Sequence, residues 1–236
     1  MKKVAIMQPY FLPYIGYFQL INAVDEFIVY DNIQFSKKGW FHRNRFLQNG
    51  SDDYFTLPLK KDSDYLDVNQ RSLSDTWPTE REKTLRKFKE NYRKAPFFES
   101  VFPKIEGIYN FEERNLFDFI LNSLKTVCKM LDIQTPFVVS SQVAMDHSLK
   151  GEAKVMALCG AVGATHYINP IGGLELYERN IFENNGLDLS FIKARSIVYP
   201  QFNNSFVPWL SILDLLMFND IEKIKGWLGE FDVIRN

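Results

Sequence analysis

Hydrophobic residues near the start of the chain fall in two short runs with a helical pattern between them. Residues 4–7 and 27–30 are apolar over the length of a strand, and apolar positions between Gly16 and Val24 follow helical spacing. This order predicts a strand, a helix and a second strand, which together form a βαβ unit. Pro9 and Pro13 bracket the loop between the first strand and the helix. In open α/β sheets such a loop lies over the carboxyl ends of the strands, where ligands bind.

The pattern changes twice further along the chain. A turn signal at residues 48–51 lies between two alternating segments and predicts a β-hairpin near residues 40–59. Residues 76–132 then carry helical spacing, which begins where Thr79 and Glu82 form a potential capping box. Predicted helices cover residues 79–95, 97–109, 111–131, 151–161, 176–184, 211–218 and 221–228, and predicted strands cover residues 137–140, 166–169 and 187–192.

The alternation of strands and helices predicts the fold class. We expect an α/β fold with a doubly wound, mostly parallel, Rossmann-like sheet of about five strands, a β-hairpin and an all-helical insert. Residues 1–75 and 133–236 are predicted to form the α/β core domain, and residues 76–132 the helical insert. Because insertions of this kind can act as lids, we expect the insert to lie over the carboxyl edge of the sheet.

Composition and charge narrow the class of protein without naming its function. The 21 Phe and 11 Tyr residues predict a very aromatic core, and the formal net charge of −1 gives no support to nucleic-acid binding through global basicity. Cys128 and Cys159 are predicted to be buried free thiols in a reducing compartment. The sequence shows no signal peptide and no stretch long enough to span a membrane, so a cytoplasmic location is predicted. Three scattered histidines predict no metal site.

The first loop carries a candidate binding site made of Gln8, Tyr14, Gly16 and Tyr17. Rossmann-like nucleotidyltransferases place a His-x-Gly-His element here, where helix amides meet phosphate. Tyr14 and Tyr17 occupy the two histidine places, and tyrosine cannot carry the positive charge that stabilises a leaving pyrophosphate. Binding of a nucleotide or phosphate therefore remains open, and so does a structural role as an aromatic plug over the sheet.

A second cluster of candidate binding residues begins with Asp31, where the second strand ends. Lys37, Lys38, Arg43 and Arg45 surround Trp40. Arginine forks suit diphosphates, and an indole can stack on a nucleobase, so the cluster predicts an anionic pocket. The alternative is a solvated face of the hairpin. The candidate residues interleaved with these cations are His42 and Asn44.

Two later segments repeat the theme of polar residues next to a turn or a helix start. His166 and Asn169 belong to a predicted strand that leads into Gly172 and Gly173, and glycine permits close backbone approach to a ligand. Ser211 fits a helix N-cap with Asp214 three positions on, although a helix N-terminus also attracts phosphate. Tyr199 and Gln201 complete the candidate binding residues.

Taken together, these motifs resemble the WbqC-like family over nearly the whole chain. The segments that carry the resemblance are residues 6–17, Gly39-Trp40 with Arg43-Asn44-Arg45, Tyr167-x-Asn169-Pro170-x-Gly172-Gly173, Tyr199-x-Gln201 and residues 210–214. The resemblance implies a bacterial enzyme of surface-polysaccharide (O-antigen) biosynthesis. For relatives it implies a role in acylating an amino sugar, for example with glycine.

The leading hypothesis is therefore an N-acyltransferase that acts on a nucleotide-linked amino sugar. His166 would deprotonate the sugar amine, and Asn169 or the glycine amides would stabilise the oxyanion. His42 is a third catalytic candidate. The alternatives are a degenerate nucleotidyltransferase that uses an NTP and a non-catalytic sugar-nucleotide-binding accessory protein. The sequence identifies neither a cofactor nor the acyl donor, and a nucleic-acid partner is expected only if the donor is an aminoacyl-tRNA.

Overall fold

A six-stranded sheet forms the centre of the computed structural model, which describes residues 1–235. The strand order is β5-β2-β1-β6-β7-β8, and neighbouring strands are parallel except for β7 and β8. The strands are β1 (Lys3–Met7), β2 (Glu26–Val29), β3 (Arg43–Gln48), β4 (Ser51–Thr56), β5 (Phe137–Val139), β6 (His166–Pro170), β7 (Asp188–Ala194) and β8 (Phe231–Ile234). The predicted fold class is confirmed. The antiparallel edge strand β8 was not predicted, because its four residues carry too short a pattern.

Eight helices accompany these strands within residues 1–235. They are α1 (Ile15–Asn22), α2 (Trp77–Tyr92), α3 (Phe98–Tyr109), α4 (Leu116–Met130), α5 (Gly151–Ala161), α6 (Arg179–Asn184), α7 (Ile212–Phe218) and α8 (Ile221–Trp227). The predicted cap at Thr79 is wrong, because Pro78 fits the first turn and α2 begins two residues before Thr79. The predicted start of α4 at residue 111 is also wrong, since Asn115 caps that helix by accepting hydrogen bonds from the amides of Phe117 and Asp118.

The β3–β4 hairpin forms a separate two-stranded sheet around the predicted turn. Asn49 and Gly50 both have positive φ, at 51° and 78°, which is the geometry of a type I′ turn. On the hairpin, the rings of Phe46 and Phe55 each lie 5.3 Å from the ring of Phe88 in α2. The hairpin is thereby fixed against the helical segment.

Both faces of the central sheet are covered, as a doubly wound sheet requires. On one face, α1–α4, α7 and α8 enclose the larger core, where Phe11 packs its ring 5.6 Å from those of Tyr109 and Phe119. On the other face, α5 and α6 enclose a smaller core, where the ring of Tyr167 stacks on Phe182 at 5.8 Å. Because Phe11 belongs to the loop after β1, the first loop is anchored in the core rather than free in solvent.

The sheet opens between β1 and β6. These strands pair at Lys3 with His166 and at Val4 with Tyr167, whereas the pairing of β1 with β2 continues to Met7. The chain then leaves β1 toward α1 on one face and leaves β6 toward α6 on the other. A strand order that reverses in this way defines a topological switch point, which is where open α/β sheets bind ligands.

Candidate functional site

A cavity of about 880 Å³ occupies the switch point. One wall comes from the loop and helix that follow β1, the other from the turn that follows β6, and the rim comes from the hairpin and from residue 209. The candidate residues that line it are Gln8, Tyr14, Gly16, Tyr17, Trp40, Asn44, Arg45, Asn169, Gly172 and Gly173. The structure therefore brings ten of the predicted site residues together from three separate segments of the chain.

Tyrosine hydroxyls organise the wall that follows β1. The Tyr17 hydroxyl donates to the backbone carbonyl of Gln8 at 2.8 Å, and the Tyr10 hydroxyl lies 3.2 Å from the Gln8 side-chain oxygen. Burial raises the pKa of Tyr17 well above its ordinary value, and the neighbouring Tyr10 raises it further. Both groups stay neutral at physiological pH, so this wall offers hydrogen bonds and aromatic surface rather than positive charge.

Two helix N-termini open on the cavity. Gly16 lies in the first turn of α1, where a Cβ atom would overlap with the ring of Tyr14. Gly151 begins α5 with a positive φ of 56° and lies between Lys150 and Glu152, which also line the cavity. Backbone N–H groups and the helix dipole make such ends favourable for anions.

The turn after β6 depends on a close contact between a side chain and the backbone. The Tyr167 hydroxyl donates to the Asn169 side-chain oxygen at 3.3 Å, which orients the Asn169 amide nitrogen toward Gly173. A Cβ atom at Gly173 would overlap with that nitrogen. A side chain at this position would therefore displace the Asn169 amide.

Arg45 reaches the rim of the cavity from strand β3. Its guanidinium donates to the carbonyl of Trp209 at 3.0 Å and pairs with Asp52 at 3.2 Å. Its Nε is buried and has no hydrogen-bond partner among residues 1–235. The neighbouring Asn44 is buried and donates to the carbonyl of Leu12 at 2.9 Å, which ties the hairpin to the first loop.

The comparisons with known proteins cover the same segments. A family model described as the WbqC-like protein family matches residues 8–226. The chain belongs to the WbqC-like protein family. This chain is 30% identical over 223 residues to "Uncharacterized protein Rv1507c" of Mycobacterium tuberculosis. The matched region covers 92% of this chain and 93% of that protein. No solved structure matches the chain.

His166 does not lie in the cavity of this WbqC-like protein, and its predicted placement there is wrong. It is the first residue of β6 and pairs with Lys3 and Asp188, so it lies at the amino edge of the sheet. Its ring is buried, and Nε2 lies 2.7 Å from the Ser190 hydroxyl. Burial lowers the pKa of this imidazole, although Asp188 opposes the shift. The prediction used the short distance from His166 to the glycine turn, but the five-residue strand places it at the opposite end.

His42 also lies outside the lining of the cavity. Its ring packs 5.1 Å from that of Phe35, and its Nδ1 is buried without a partner among residues 1–235. Burial lowers the pKa of His42 to about 4, and the charges of Arg43 and Arg71 lower it in the same direction. The imidazole is neutral at physiological pH and packs against Phe35.

Three predicted cations are likewise placed elsewhere. Arg43 donates to the carbonyls of Lys38 at 2.7 Å and Gly39 at 3.3 Å, so its fork holds the 36–41 loop. Lys37 pairs with Asp64 at 2.6 Å, and both lysines face a second, shallow depression. Of the four predicted cations, Arg45 is the one that reaches the cavity.

Asp31 joins three loops instead of lining the cavity. The buried carboxylate accepts hydrogen bonds from Ser140, from the amide and hydroxyl of Ser141 and from Asn69, at 2.6–2.9 Å. Burial by itself raises the pKa of Asp31, but these hydrogen bonds outweigh it, and the pKa is lowered. Asp31 therefore holds these loops together and lies outside the lining of the cavity, where a binding residue was expected.

The last four candidates form a buried network behind the cavity. The Asp214 carboxylate accepts from the Tyr92 hydroxyl at 2.8 Å and from Tyr199 and Gln201 at 2.7 Å each. The Ser211 hydroxyl accepts from the amide of Leu213, so the predicted N-cap is confirmed. The network supports the loops of the site and contributes no side chain to the lining.

The helical segment lies behind the first loop rather than over the cavity. Tyr109 and Phe119 pack against Phe11, and within residues 1–235 no member of the 76–132 segment lines the cavity. The expectation of a lid over this cavity is therefore wrong. The division into a core domain and an insert remains a prediction, and Asn236 lies outside the described residues.

Three lining residues carry no sequence signal strong enough to single them out. Lys150 and Glu152 flank a predicted helix start, which is a weak pointer to a ligand-facing end. Trp209 lies in a segment whose pattern indicates a helix cap.

Across residues 1–235, none of the helices has the length and hydropathy to cross a membrane. Within the same range, no three His, Cys, Asp or Glu side chains group closely enough to hold a metal ion.

Proposed function

We propose that the protein binds a nucleotide-linked amino sugar in the switch-point cavity and transfers an acyl group to the sugar amine. The observation that carries the proposal is the meeting of two helix N-termini with Arg45 and Lys150 at one cavity. Amide groups, helix dipoles and cations at a switch point suit a diphosphate. Cytoplasmic O-antigen biosynthesis, as the family resemblance implies, is the setting of this proposal.

The dimensions and lining of the cavity agree with a ligand of this class. Its volume of about 880 Å³ falls in the range of small-molecule sites, roughly 300–1,000 Å³. Aromatic surface for a sugar ring or a base comes from Tyr10, Tyr14, Tyr30, Trp40 and Tyr177. Gln8, Asn44 and Asn169 supply amide groups that orient hydroxyls.

The lining also contains a group that can take the proton role assigned at first to His166. Among residues 1–235, Glu152 is the only acidic residue that lines the cavity. Its polar contact is a 3.3 Å hydrogen bond from the amide of Glu178. In the proposed step the amine nitrogen attacks the acyl carbon, a C–N bond forms, and the bond to the donor's leaving group breaks. Glu152 accepts the amine proton, and Asn169 donates a hydrogen bond to the developing oxyanion.

One observation favours a second function, that of a sugar-nucleotide-binding protein without turnover. No histidine lines the cavity within the described residues 1–235. A site that binds but does not react needs the same cations and helix ends, but it has no need of a base. Glu152 therefore separates the two functions.

Binding is tested by calorimetry with UDP-, dTDP- and GDP-linked amino sugars, with inorganic phosphate as a reference. At least one sugar nucleotide is expected to bind. Arg45→Ala is expected to weaken it by about 1.5–3 kcal/mol, which corresponds to roughly 10- to 150-fold in Kd. Arg93→Ala, at an exposed arginine after α2, is the matched control and should leave Kd unchanged. Failure of every sugar nucleotide to bind would overturn the proposal.

Transfer is tested by mass spectrometry of the sugar nucleotide that binds. It is incubated in turn with acyl thioesters, aminoacyl-tRNA and acyl adenylates, and a mass gain of one acyl group is expected with one class. Glu152→Gln should lower the rate roughly 100-fold or more and leave Kd nearly unchanged. Binding without transfer from any donor class would select the accessory-protein function.

A further inference from the structure

Trp209 stands on the rim of the cavity in a conformation that bulky residues rarely adopt. Its φ is +60°, and its side chain is 58% exposed. A left-handed backbone at a bulky residue is a genuine outlier, and such strain persists where the surrounding structure holds it in place. Packing does not explain why an exposed indole is kept on a strained backbone.

The backbone on both sides of Trp209 is held by hydrogen bonds. Its carbonyl accepts from the Arg45 guanidinium at 3.0 Å, and the Ser211 amide donates to the Arg45 carbonyl at 2.9 Å. The Ser211 hydroxyl donates to the carbonyl of Leu12 at 2.6 Å. The rim residue is thereby tied to the hairpin and to the first loop at once.

The segment before Trp209 is held as firmly. The Gln201 side chain accepts from the amide of Val207 at 2.7 Å and donates to its carbonyl at 3.2 Å. It also donates to the buried Asp214 carboxylate at 2.7 Å. The buried network that contributes nothing to the lining therefore fixes the path of the chain that presents Trp209.

The surroundings of the indole leave room for a planar ligand beside a cation. The ring of Tyr14 lies 5.6 Å away at 68°, so it meets the indole edge-on and does not cover it as a stacked ring would. Arg45 contacts the Trp209 carbonyl and also lies 5.9 Å from the ring of Trp40. One guanidinium thus contacts the backbone of one exposed tryptophan and the ring of another.

We infer that Trp209 is a stacking platform for the nucleobase of the ligand, with Arg45 beside it for the diphosphate. The inference rests on the proposed function and adds the place and mode of base recognition. Stacking on an aromatic side chain tolerates any base, because every base has a π-face. The ligand class is therefore a nucleoside diphosphate derivative that is recognised by a planar base rather than by base-specific hydrogen bonds.

The test compares UDP with pyrophosphate as probes, because both carry a diphosphate and one carries a base. Trp209→Gly relieves the positive φ, so the melting temperature is expected to hold or rise. Its Kd for UDP is expected to rise about tenfold, while its Kd for pyrophosphate stays within about twofold. Trp227→Phe removes an indole on α8, outside the cavity, and should change neither constant.

Each result decides the inference. Unchanged UDP affinity in Trp209→Gly would overturn the platform and leave the proposed function standing. An equal loss of UDP and pyrophosphate would also overturn it, since Trp209 would then position Arg45 and not stack. A wild-type protein that binds none of the UDP-, dTDP- and GDP-linked sugars would overturn the proposed function itself. If Trp209→Gly melts at a lower temperature, Trp209→Leu keeps the apolar bulk and gives the same comparison.

Discussion

Replacement of Asp214 is the sharpest test of the buried network. The carboxylate is fully buried and accepts hydrogen bonds from Tyr92, Tyr199 and Gln201 at 2.7–2.8 Å. The Tyr92 hydroxyl accepts in turn from the amide of Leu47, so one carboxylate links α7, α2, β3 and the 199–201 segment. Asp214→Ala leaves three donors without their acceptor in a place that water does not reach.

The magnitude follows from those three donors. Each buried donor left unsatisfied costs about 1–3 kcal/mol. Removal of the carboxylate also removes its own desolvation cost, since burial raises the pKa of Asp214 in spite of the three donors. We therefore expect Asp214→Ala to lower the free energy of unfolding by about 3–5 kcal/mol, a large part of a typical 5–15 kcal/mol. Asp214→Asn keeps one acceptor oxygen and should cost about 2 kcal/mol.

Urea denaturation followed by far-UV circular dichroism measures both values. Asp75→Asn is the control, because Asp75 is exposed and lies 3.6 Å from Lys60, and a surface pair of this kind contributes at most about 1 kcal/mol. A loss below about 1 kcal/mol for Asp214→Ala would refute the reasoning, since it would mean that the three donors find other partners.

Two further predictions concern buried titratable groups. The pKa of His42 is about 4 in the fold, below its ordinary 6.5, so the unfolded chain binds the extra proton and stability falls as pH drops from 6.5 toward 4. The loss of stability is on the order of 1–2 kcal/mol after allowance for solvent at the ring edge. The urea midpoint should change less between pH 7 and pH 5 in His42→Phe than in the wild type, and an equal change in both proteins would contradict this. Burial raises the pKa of Cys128 and Cys159 to about 12, so Ellman's reagent at pH 8 should label both thiols in guanidinium and neither in the native protein, whereas rapid native labelling would show that they are accessible.

Local signals in the sequence predicted much of the fold. The Asn49-Gly50 turn formed as expected, because these two residues favour the positive φ of a type I′ turn. The bounds of α5 agree with the predicted helix at 151–161. Ser211 capped α7 as its residue type indicates. In each case the deciding interaction lies within a few residues of the signal.

The site depended on longer-range geometry. Arg43 and Arg45 lie two residues apart on β3 and project from the same face, yet Arg43 donates to loop carbonyls and Arg45 reaches the cavity rim. Nothing in the local sequence says which backbone carbonyls will meet a guanidinium. The error at His166 has a related cause, because one end of a parallel strand faces the cavity and the other faces away. The sequence predicted the strand correctly, but the end of the strand at which His166 lies determines which edge of the sheet it occupies.

The opening between β1 and β6 also has a mechanical consequence. The two strands are joined at Lys3–His166 and Val4–Tyr167, while pairing between β6 and β7 runs along the whole of β6. The sheet therefore consists of two three-stranded plates joined by a narrow seam at their amino ends, and we expect a short seam to resist twisting less than a full ladder. A small rotation of one plate against the other about this seam would change the width of the cavity at the carboxyl end. A molecule that touches both walls would stiffen the whole sheet, because it would join the plates at the end where the backbone leaves them apart.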